Sequence, residues 1–461
     1  MTLRDQIQLL SPPPDPESAV APAQPVVCHV EQPAASTIQV TSQEAASAAD
    51  DRFHRFRLIR WWDQAKLARA KVLVIGAGAL GNEIVKNLAL LGVGNLLIVD
   101  MDRIENSNLS RSVLYRASDN GSSKAQAAAR AAGEIYPGIR AHALDANAVY
   151  DLGMGVYRWA DVVMGGLDNR EARLSINRNC LKVGRPWVDG AIEQIQGTAR
   201  VFTPDSPCYE CTMSDADWRL LQLRRSCNLL TRPEMEGGKT PTTPTISSII
   251  AGVQCQEAVK LLHGLATIKG RGWVFDGLST EAYQVEFQRK STCYSHEALD
   301  EVIPLDAGAD NVTVRELLDL ARERLGPGTE LELGRDVLEK LVCPGCGSEE
   351  AMFQSLGRVK AEVAWCPACR SAGKDVRREV VTFYKIRGDE PFLDRTPAEI
   401  GVPPFDIIMA RGPQATSPGA AGAIATTGEE TCAGRLVGLE LSCDAENVLG
   451  PLWDGEALEW S

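Results

Sequence analysis

The sequence lacks the features of a membrane or secreted protein. No stretch approaches ~18 uninterrupted apolar residues, the length that a membrane-spanning helix needs. The N-terminus, MTLRDQIQLLSPPP, contains no long apolar run and reaches three prolines early, so it has no signal-peptide pattern. These absences predict a cytoplasmic protein with no membrane partner.

An excess of positive charge is also absent. The chain has 48 Lys and Arg residues against 61 Asp and Glu residues, which gives a formal net charge of −13. A negative surface repels phosphate backbones unless a local basic patch overrides it, so we expect no nucleic-acid partner. The 461 residues are 44% apolar and 24% charged, as in an ordinary globular protein, and the length predicts about three domains.

The chain changes character along its length. Residues 1–50 are rich in Pro, Ala, Ser and Gln and are predicted to be a mostly disordered tail. Between residues 51 and 298 the buried strands of KVLVIGAG and NLLIVD alternate with helical segments such as ALGNEIVKNLALLG, and RFHRFRLIRWWDQAKLARA before them also reads as helical. This alternation predicts an α/β domain with a Rossmann-like, mostly parallel sheet and helices on both faces. Residues 299–461 are predicted to form a small α+β domain, with a flexible segment at 412–429.

A glycine motif lies between the first strand and the next helix. Gly76, Gly78 and Gly81 form G-x-G-x-x-G, which allows a tight turn and a close approach of backbone to phosphate. Asp100 ends the following strand, where a carboxylate can bind a ribose hydroxyl. The motif alone leaves NAD and ATP open. The polar segment VDMDRIENSNLSRSVLYRASDNGSSK favours ATP, because breaking a triphosphate needs cations for phosphate and carboxylates for Mg²⁺.

An ordered series of motifs between about residues 52 and 298 resembles the adenylation domain of the ubiquitin-activating and MoeB/ThiF/HesA adenylyltransferase family. The motifs are RFHR, GAGALG, VDMD, SNLSR, a lysine at 124, GLDN, PCYEC and GVQCQEAVKLLHG. The resemblance implies a ThiF-type fold that binds ATP and Mg²⁺. The family usually has Gln after the arginine of N-L-x-R, and here Ser112 removes one hydrogen-bonding group but no charge.

The resemblance also implies roles for individual residues. Asp100 resembles the ribose-binding aspartate, while Asp102 and Asp168 resemble carboxylates near Mg²⁺ or the reacting phosphate. Three residues resemble the family's phosphate-contacting set: Asn108, Arg111 and Lys124. Arg55 resembles an arginine that reaches the ATP of a partner subunit, which implies a homodimer. These cations would neutralise the charge that develops on pyrophosphate.

Family members that pass the activated protein on need a nucleophilic cysteine. Cys227 lies in LQLRRSCNLLTRPEMEGGKTPTTPT, within the region of the family's crossover loop (about 212–245). Cationic neighbours favour the thiolate, and three arginines flank this position: Arg224, Arg225 and Arg232. Cys227 is therefore the predicted nucleophile. Cys180 and Cys255 lie in helical patterns beside apolar residues and are predicted to be core thiols.

The 13 cysteines also include a pair of C-P-x-C knuckles. Cys343 and Cys346 are separated by nineteen residues from Cys366 and Cys369, a spacing typical of a four-cysteine zinc ribbon. Redox-active pairs are the alternative, but the strand-then-helix setting of a thioredoxin motif is missing. The spacing predicts a structural Zn²⁺ at 343–369.

A second zinc site follows from the family resemblance. Cys208 and Cys211 resemble the first half of the family's structural zinc site, whose second half is normally another cysteine pair. Here that position holds Cys293 and His296. Because three cysteines with one histidine form a common zinc set, His296 is predicted to replace the fourth cysteine.

The family resemblance implies ATP-dependent adenylation of the C-terminal glycine of a ubiquitin-like protein, thioester formation on an enzyme cysteine and transfer to a conjugating enzyme. A sulfur-carrier adenylyltransferase of the MoeB/ThiF type is the near alternative, although residues 300–461 show no rhodanese-like active loop. An NAD-dependent dehydrogenase and a non-enzymatic zinc scaffold are the remaining alternatives.

Overall fold

The computed structural model describes residues 51–219, 241–359, 361–413 and 434–455. Cys227 and its flanking arginines, the tail at 1–50 and most of the 412–429 segment lie outside the described residues. The chain divides into two compact units, with the boundary in the sequence between Trp62 and Asp63.

The described part of the first unit, residues 51–62, is a short aromatic segment. A single 3-10 turn, Phe56–Leu58, is its only regular element. The Phe56 ring lies 6.0 Å from Phe53 and 4.9 Å from Trp62, centre to centre. The helical interpretation of RFHRFRLIRWWDQAKLARA is therefore wrong for its residues 52–62.

The second unit begins with a capped helix. The extended backbone of Asp63 lets its carboxylate accept hydrogen bonds from the amides of Ala65 and Lys66, which starts helix α1 at Gln64. This cap explains why the helical pattern starts afresh here.

An eight-stranded sheet forms the centre of the second unit. Its strands are β1 (Lys71–Ile75), β2 (Asn95–Val99), β3 (Arg140–Leu144), β4 (Val162–Gly165), β5 (Trp187–Glu193), β6 (Gln196–Phe202), β7 (Arg271–Asp276) and β8 (Glu281–Glu286). The spatial order is β3-β2-β1-β4-β5-β6-β7-β8, parallel from β3 to β5 and antiparallel from β5 to β8. β1 and β4 are neighbours although two strands separate them in sequence, so the chain reverses its direction of winding between them. Ligands of open α/β sheets bind at such a point.

Helices cover both faces of this sheet. They are α1 (Gln64–Arg69), α2 (Ala79–Leu91), α3 (Lys124–Ile135), α4 (Met154–Trp159), α5 (Arg170–Lys182) and α6 (Pro244–His263). Alternate residues of β1 enter separate hydrophobic clusters, Val72 and Val74 with α2, α3 and α6, and Leu73 and Ile75 with α4 and α5. The predicted fold class is confirmed. Within the described ranges no helix combines the length and apolar character needed to cross a bilayer.

A second, six-stranded sheet follows. Its strands are β9 (Glu301–Leu305), β10 (Glu330–Val342), β11 (Glu349–Ser355), β12 (Glu379–Ile386), β13 (Ile407–Arg411) and β14 (Leu436–Leu441). The order is β11-β10-β13-β14-β9, and β12 also pairs with the long strand β10 in antiparallel orientation. Three helices accompany it: α7 (Val314–Leu325), α8 (Pro367–Ser371) and α9 (Ala445–Leu449). Thr313 caps α7 in a reciprocal hydrogen-bonded pair with Glu316, as the sequence VTVRELLDLARERLG favours.

The second sheet packs closely on helix α4. Arg158 of α4 donates to both carboxylate oxygens of Glu440 on β14, at 2.9 and 2.7 Å, and both side chains are 2% exposed. The Met154 amide donates to Asp406 at 2.7 Å. Phe405 belongs to the same hydrophobic cluster as the α4 residues. The two sheets of this unit therefore share part of one core.

Candidate functional site

The glycine loop between β1 and α2 has no room for side chains at two of its three glycines. Gly76 has a φ of +92°, and a Cβ there would overlap the carbonyl of Gly166. A Cβ at Gly81 would overlap the carbonyl of Gly76. Gly78, at the N-cap of α2, faces open space. The open N-terminus of α2 is thus available to an anion such as a phosphate.

Asp100 connects this loop to the end of β2. Its carboxylate accepts hydrogen bonds of 2.7 Å from the amides of both Ala77 and Asp102. Burial raises the pKa of Asp100, the two amides and Lys124 lower it, and the net shift is upward. Asp100 therefore orders the glycine loop, and its predicted ribose contact stays a prediction.

Asp102 and Lys124 form an ion pair next to Asp100. The Lys124 Nζ lies 2.8 Å from an Asp102 oxygen, with the lysine side chain 12% exposed and the aspartate 55% exposed. Lys124 is the first residue of α3, which Ser123 caps because its hydroxyl oxygen accepts a hydrogen bond from the Gln126 amide. The structure brings together three of the predicted site residues here, although Asp102 and Lys124 are 22 positions apart in the sequence.

Asn108 and Arg111 lie in the loop that follows β2. The Asn108 Oδ1 accepts a hydrogen bond of 3.0 Å from the Glu105 amide, and the side chain is buried. Arg111 is partly exposed and donates to the Ser107 carbonyl at 2.6 Å. Both side chains form hydrogen bonds within this loop. Their predicted phosphate contacts stay predictions.

Two residues that the sequence analysis missed hold the glycine loop through hydrogen bonds to its backbone. The buried Asn82 donates to the Ala77 carbonyl at 2.7 Å and accepts from the Leu114 amide at 2.9 Å. The Tyr115 hydroxyl donates to Ala77 at 2.6 Å, and burial raises the pKa of this phenol. The available signal was an asparagine directly after the last glycine, at a buried position of an apolar helix.

Asp168 lies just beyond the carboxyl end of β4. Its side chain is exposed and accepts a hydrogen bond of 3.2 Å from Asn169, which also caps α5 by accepting from the Ala172 amide at 2.8 Å. Gly166, two residues earlier, packs on the glycine loop. Asp168 thus stands on the β4 side of the crevice at which the winding direction reverses, and the glycine loop stands on the β1 side.

A buried charge cluster supports the backbone before Asp168. Arg173 donates through Nε to Asp189 at 2.9 Å, and through one terminal nitrogen to the carbonyls of Leu167 at 2.7 Å and Gly190 at 2.9 Å. Arg200 donates to the other Asp189 oxygen at 3.0 Å. Burial lowers the pKa of Arg173, Asp189 raises it, and the net shift is upward. This cluster was not predicted from the sequence.

Two further predicted catalytic residues, Arg55 and Cys227, do not belong to the described part of the second unit. Arg55 belongs to the first unit, where it precedes the 3-10 turn, and Cys227 is outside the described residues. Cys180 and Cys255 are buried, and burial raises the pKa of the Cys255 thiol to about 12 and that of Cys180 well above its usual value. Burial therefore keeps both in the unreactive thiol form.

Cys208, Cys211, Cys293 and His296 form a compact group whose ligand atoms all lie within 4.8 Å of one another. The Cys208 Sγ is 3.5 Å from the Cys293 Sγ, and the Cys211 Sγ is 3.2 Å from the His296 Nε2. Three thiols with one imidazole at these separations fit a tetrahedral Zn²⁺.

The other cysteine group lies at the β10–β11 hairpin and at helix α8. Cys343 and Cys369 have sulfurs 3.7 Å apart, as do Cys346 and Cys366, and all four sulfurs lie within 4.8 Å of one another. Four thiols in this arrangement also fit Zn²⁺. The structure thus assembles both groups of four residues that the sequence analysis named.

The crevice, the glycine loop and the sheet order define a Rossmann-type α/β fold, in which ligands bind at such a crevice. Among known families, the ThiF family matches residues 51–295. The chain belongs to the ThiF family.

Individual relatives agree with this assignment. The SAMP-activating enzyme E1 of Haloferax volcanii is 31% identical over 238 residues, covering 50% of this chain and 81% of that protein. The probable adenylyltransferase/sulfurtransferase MoeZ of Mycobacterium tuberculosis is 31% identical over 267 residues, 56% of this chain and 66% of MoeZ. The Nedd8-activating enzyme E1 catalytic subunit of Drosophila melanogaster is 40% identical over 159 residues, 32% and 35% of the two chains. These names place the chain among enzymes of the E1-like adenylyltransferase kind, for which the family implies ATP and Mg²⁺.

Proposed function

We propose that the protein adenylates the C-terminal glycine of a ubiquitin-like protein. The observation that supports this is the crevice beside the open glycine loop, flanked by the Asp102–Lys124 pair and by Asp168. In the reaction, a carboxylate oxygen attacks the α-phosphorus of ATP. The bond to the β-phosphate oxygen breaks, pyrophosphate leaves, and an acyl adenylate remains.

Lys124 and Arg111 supply positive charge for this step. Lys124 emerges at the N-terminus of α3 beside two aspartates, so it can exchange its Asp102 partner for phosphate oxygens when ATP binds. Asp102 and Asp168 are carboxylates on the two sides of the crevice and would hold Mg²⁺, which neutralises phosphate charge when bound. Arg173 keeps the backbone before Asp168 in place.

In the second step the Cys227 thiolate attacks the acyl carbon, a thioester forms and AMP leaves. The arginines that flank Cys227 support this role, because they favour the thiolate. A conjugating enzyme would then accept the ubiquitin-like protein through its own cysteine. Arg55 would act from one subunit of a homodimer on the ATP of the other. These are parts of the same proposal.

The MoeZ name on one relative favours a second candidate, sulfur-carrier adenylation. In that reaction a sulfide-level sulfur nucleophile attacks the acyl carbon, the bond to AMP breaks and a thiocarboxylate forms, so no lasting thioester to Cys227 is needed. Both candidates share the ATP chemistry and differ in what attacks the adenylate.

We also propose that each four-residue group binds Zn²⁺ and that the chain is organised as an adenylation domain at 51–298 and a zinc-ribbon domain at 299–461. Bound zinc would crosslink the loop at 208–211 to the segment at 293–296, and the β10–β11 hairpin to α8. Neither ion takes part in the adenylation chemistry.

The test incubates native protein with MgATP and cell extract and detects a thiol-sensitive adduct by non-reducing gel and intact mass. Two variants are compared, Cys227→Ala and Cys443→Ala, the latter a matched control at an exposed cysteine. We expect an adduct on native protein and on Cys443→Ala, carrying a small protein that ends in glycine, and none on Cys227→Ala.

ATP–pyrophosphate exchange separates the two steps. Lys124→Ala is expected to lose about 10²–10³-fold in exchange rate, as when one charge-stabilising donor is removed from an active site, whereas Cys227→Ala keeps it. An adduct on all three proteins would move the nucleophile to another cysteine. Exchange without any adduct would favour the sulfur-carrier reaction, and no exchange at all would refute both candidates.

A further inference from the structure

A second pocket opens at the end of the parallel sheet opposite the nucleotide crevice. Its volume is about 390 Å³. It lies where α1 and α6 end and where the chain enters β1, β4 and β5. Its lining residues are Lys66, Arg69, Ala70, Asp161, Pro186, Leu261 and Leu262. No step of the proposed reaction uses these residues.

The pocket combines positive charge with an apolar wall. Lys66 and Arg69 are exposed, and within the described part of the chain neither charged group has a hydrogen-bond or ion-pair partner. Asp161 uses one carboxylate oxygen to accept from the Lys71 amide at 2.8 Å. Leu261 and Leu262 are half-buried. This chemistry suits a segment that carries both carboxylates and large apolar side chains.

The last described residues of the chain arrive next to this pocket. Leu452 is buried in the core shared by the two sheets, and Trp453 packs against the same cluster. The Asp454 carboxylate then pairs with the Lys71 Nζ at 3.2 Å. Lys71 directly follows the lining residues Arg69 and Ala70 in the chain, and its backbone amide is bonded to Asp161.

Residues 456–461 follow with the sequence EALEWS. They contain two carboxylates, Glu456 and Glu459, and two large apolar side chains, Leu458 and Trp460. At ~3.3 Å per extended residue, six residues reach up to about 20 Å from Gly455. The pocket volume falls within the range of about 300–1,000 Å³ that ligand sites occupy. Reach, charge and apolar content therefore all match the pocket.

We infer that residues 456–461 dock into the pocket formed by α1, the end of α6 and the turns before β4 and β5. The glutamates pair with Lys66 and Arg69, and Leu458 and Trp460 cover Leu261 and Leu262. The docked segment then holds the chain that follows β14 against the end of the parallel sheet opposite the nucleotide crevice. This inference does not depend on the proposed reaction.

The test uses the full-length protein with p-benzoylphenylalanine replacing Trp460. Irradiation should crosslink this position, within the same chain, to peptides that contain residues 66–70 or 261–262. The double charge reversal Lys66→Glu/Arg69→Glu should lower the yield about tenfold, because each reversal replaces attraction with repulsion. Lys269→Glu is the matched control, an exposed cation outside the lining, and should leave the yield unchanged.

A second probe position guards against loss of docking through the probe itself. With benzoylphenylalanine at Ala457, Trp460 is retained and the same crosslinked peptides are expected. Crosslinks to other surfaces, crosslinks only between two copies, or no crosslink from either position would overturn the inference. A yield that survives the double reversal would overturn the charge pairing on which it rests. Unchanged far-UV circular dichroism of each variant shows that the protein remains folded.

Discussion

The Arg173–Asp189–Arg200 cluster allows a quantitative test of how the structure supports Asp168. One carboxylate with no exposed surface lies between two guanidinium groups, of which Arg173 is 8% and Arg200 15% exposed. Removing the charge of Asp189 leaves two like charges without their shared partner, whereas removing either arginine leaves one ion pair intact. The three single substitutions should therefore differ in a fixed order.

Asp189→Asn is expected to cost about 3–5 kcal/mol of unfolding free energy, as for breaking a buried ion pair. Arg173→Met should cost somewhat less, about 3 kcal/mol, because Asp189 keeps Arg200 although two carbonyls lose their donor. Arg200→Met removes the hydrogen bonds to Asp189 and the cation–π contact with the Tyr209 ring, whose centre lies 5.2 Å from the guanidinium carbon, and should cost about 1–2 kcal/mol. Equilibrium urea unfolding, followed by circular dichroism, measures all three values.

Function provides the second readout. Because Arg173 holds the Leu167 carbonyl directly before Asp168, Arg173→Met should lower the rate of ATP–pyrophosphate exchange more than Arg200→Met does. Arg173→Lys should not restore it, since an ammonium group lacks the planar fork that reaches three acceptors. The reasoning is refuted if Asp189→Asn costs under about 1 kcal/mol, or if Arg200→Met is as costly as Asp189→Asn.

Two further outcomes follow from the metal groups and from an ion-paired carboxylate. Plasma mass spectrometry of purified protein should find two zinc ions per chain. The variants His296→Ala and Cys346→Ser should each lose one zinc ion. A variant that keeps both zinc ions would remove its residue from the ligand set. Burial raises the pKa of Glu332, but hydrogen bonds from Arg411 and Lys385 together lower it by more than burial raises it. The net shift of this pKa is therefore downward from 4.5. The ionised Glu332 therefore stabilises the fold above pH 4.5, and this contribution is lost as the pH falls through the folded pKa. In urea titrations, the stability advantage of native protein over Glu332→Gln should shrink below pH 4.5. An advantage that is independent of pH would contradict this.

The sequence was informative where a local pattern determines the structure. The β-branched run before the glycine motif and the apolar helix after it were predictable because burial on both faces of a parallel strand leaves a continuous apolar signal. Strand β3 was missed because Arg140–Leu144 contains no β-branched residue and lies at the sheet edge. Helix α4 was missed because it has only six residues and carries glycines at its N-cap, Gly153, and at its second position, Gly155.

Features that depend on distant pairings were not predictable in the same way. Arg173 and Asp189 meet only because β4 and β5 pair in parallel and bring α5 over them. Asn82 holds a loop 32 residues away. Cys208 and Cys293 are 85 residues apart, and only the family resemblance pointed to their proximity. The C-x-x-C spacing was enough to identify the nearby cysteine pairs. The charges and hydrogen bonds that support the crevice depend on the fold.

The contact between helix α4 and the second sheet has a consequence for how the molecule comes apart. Arg158 and Glu440 are among the most buried charges described, and separating the sheets would break the ion pair between them. Phe405, Leu449 and Leu452 would at the same time withdraw from the core of the nucleotide-binding sheet. We therefore expect both sheets to melt in a single cooperative transition. Limited proteolysis near residue 299 should accordingly yield a nicked complex that stays associated, rather than two independently stable fragments.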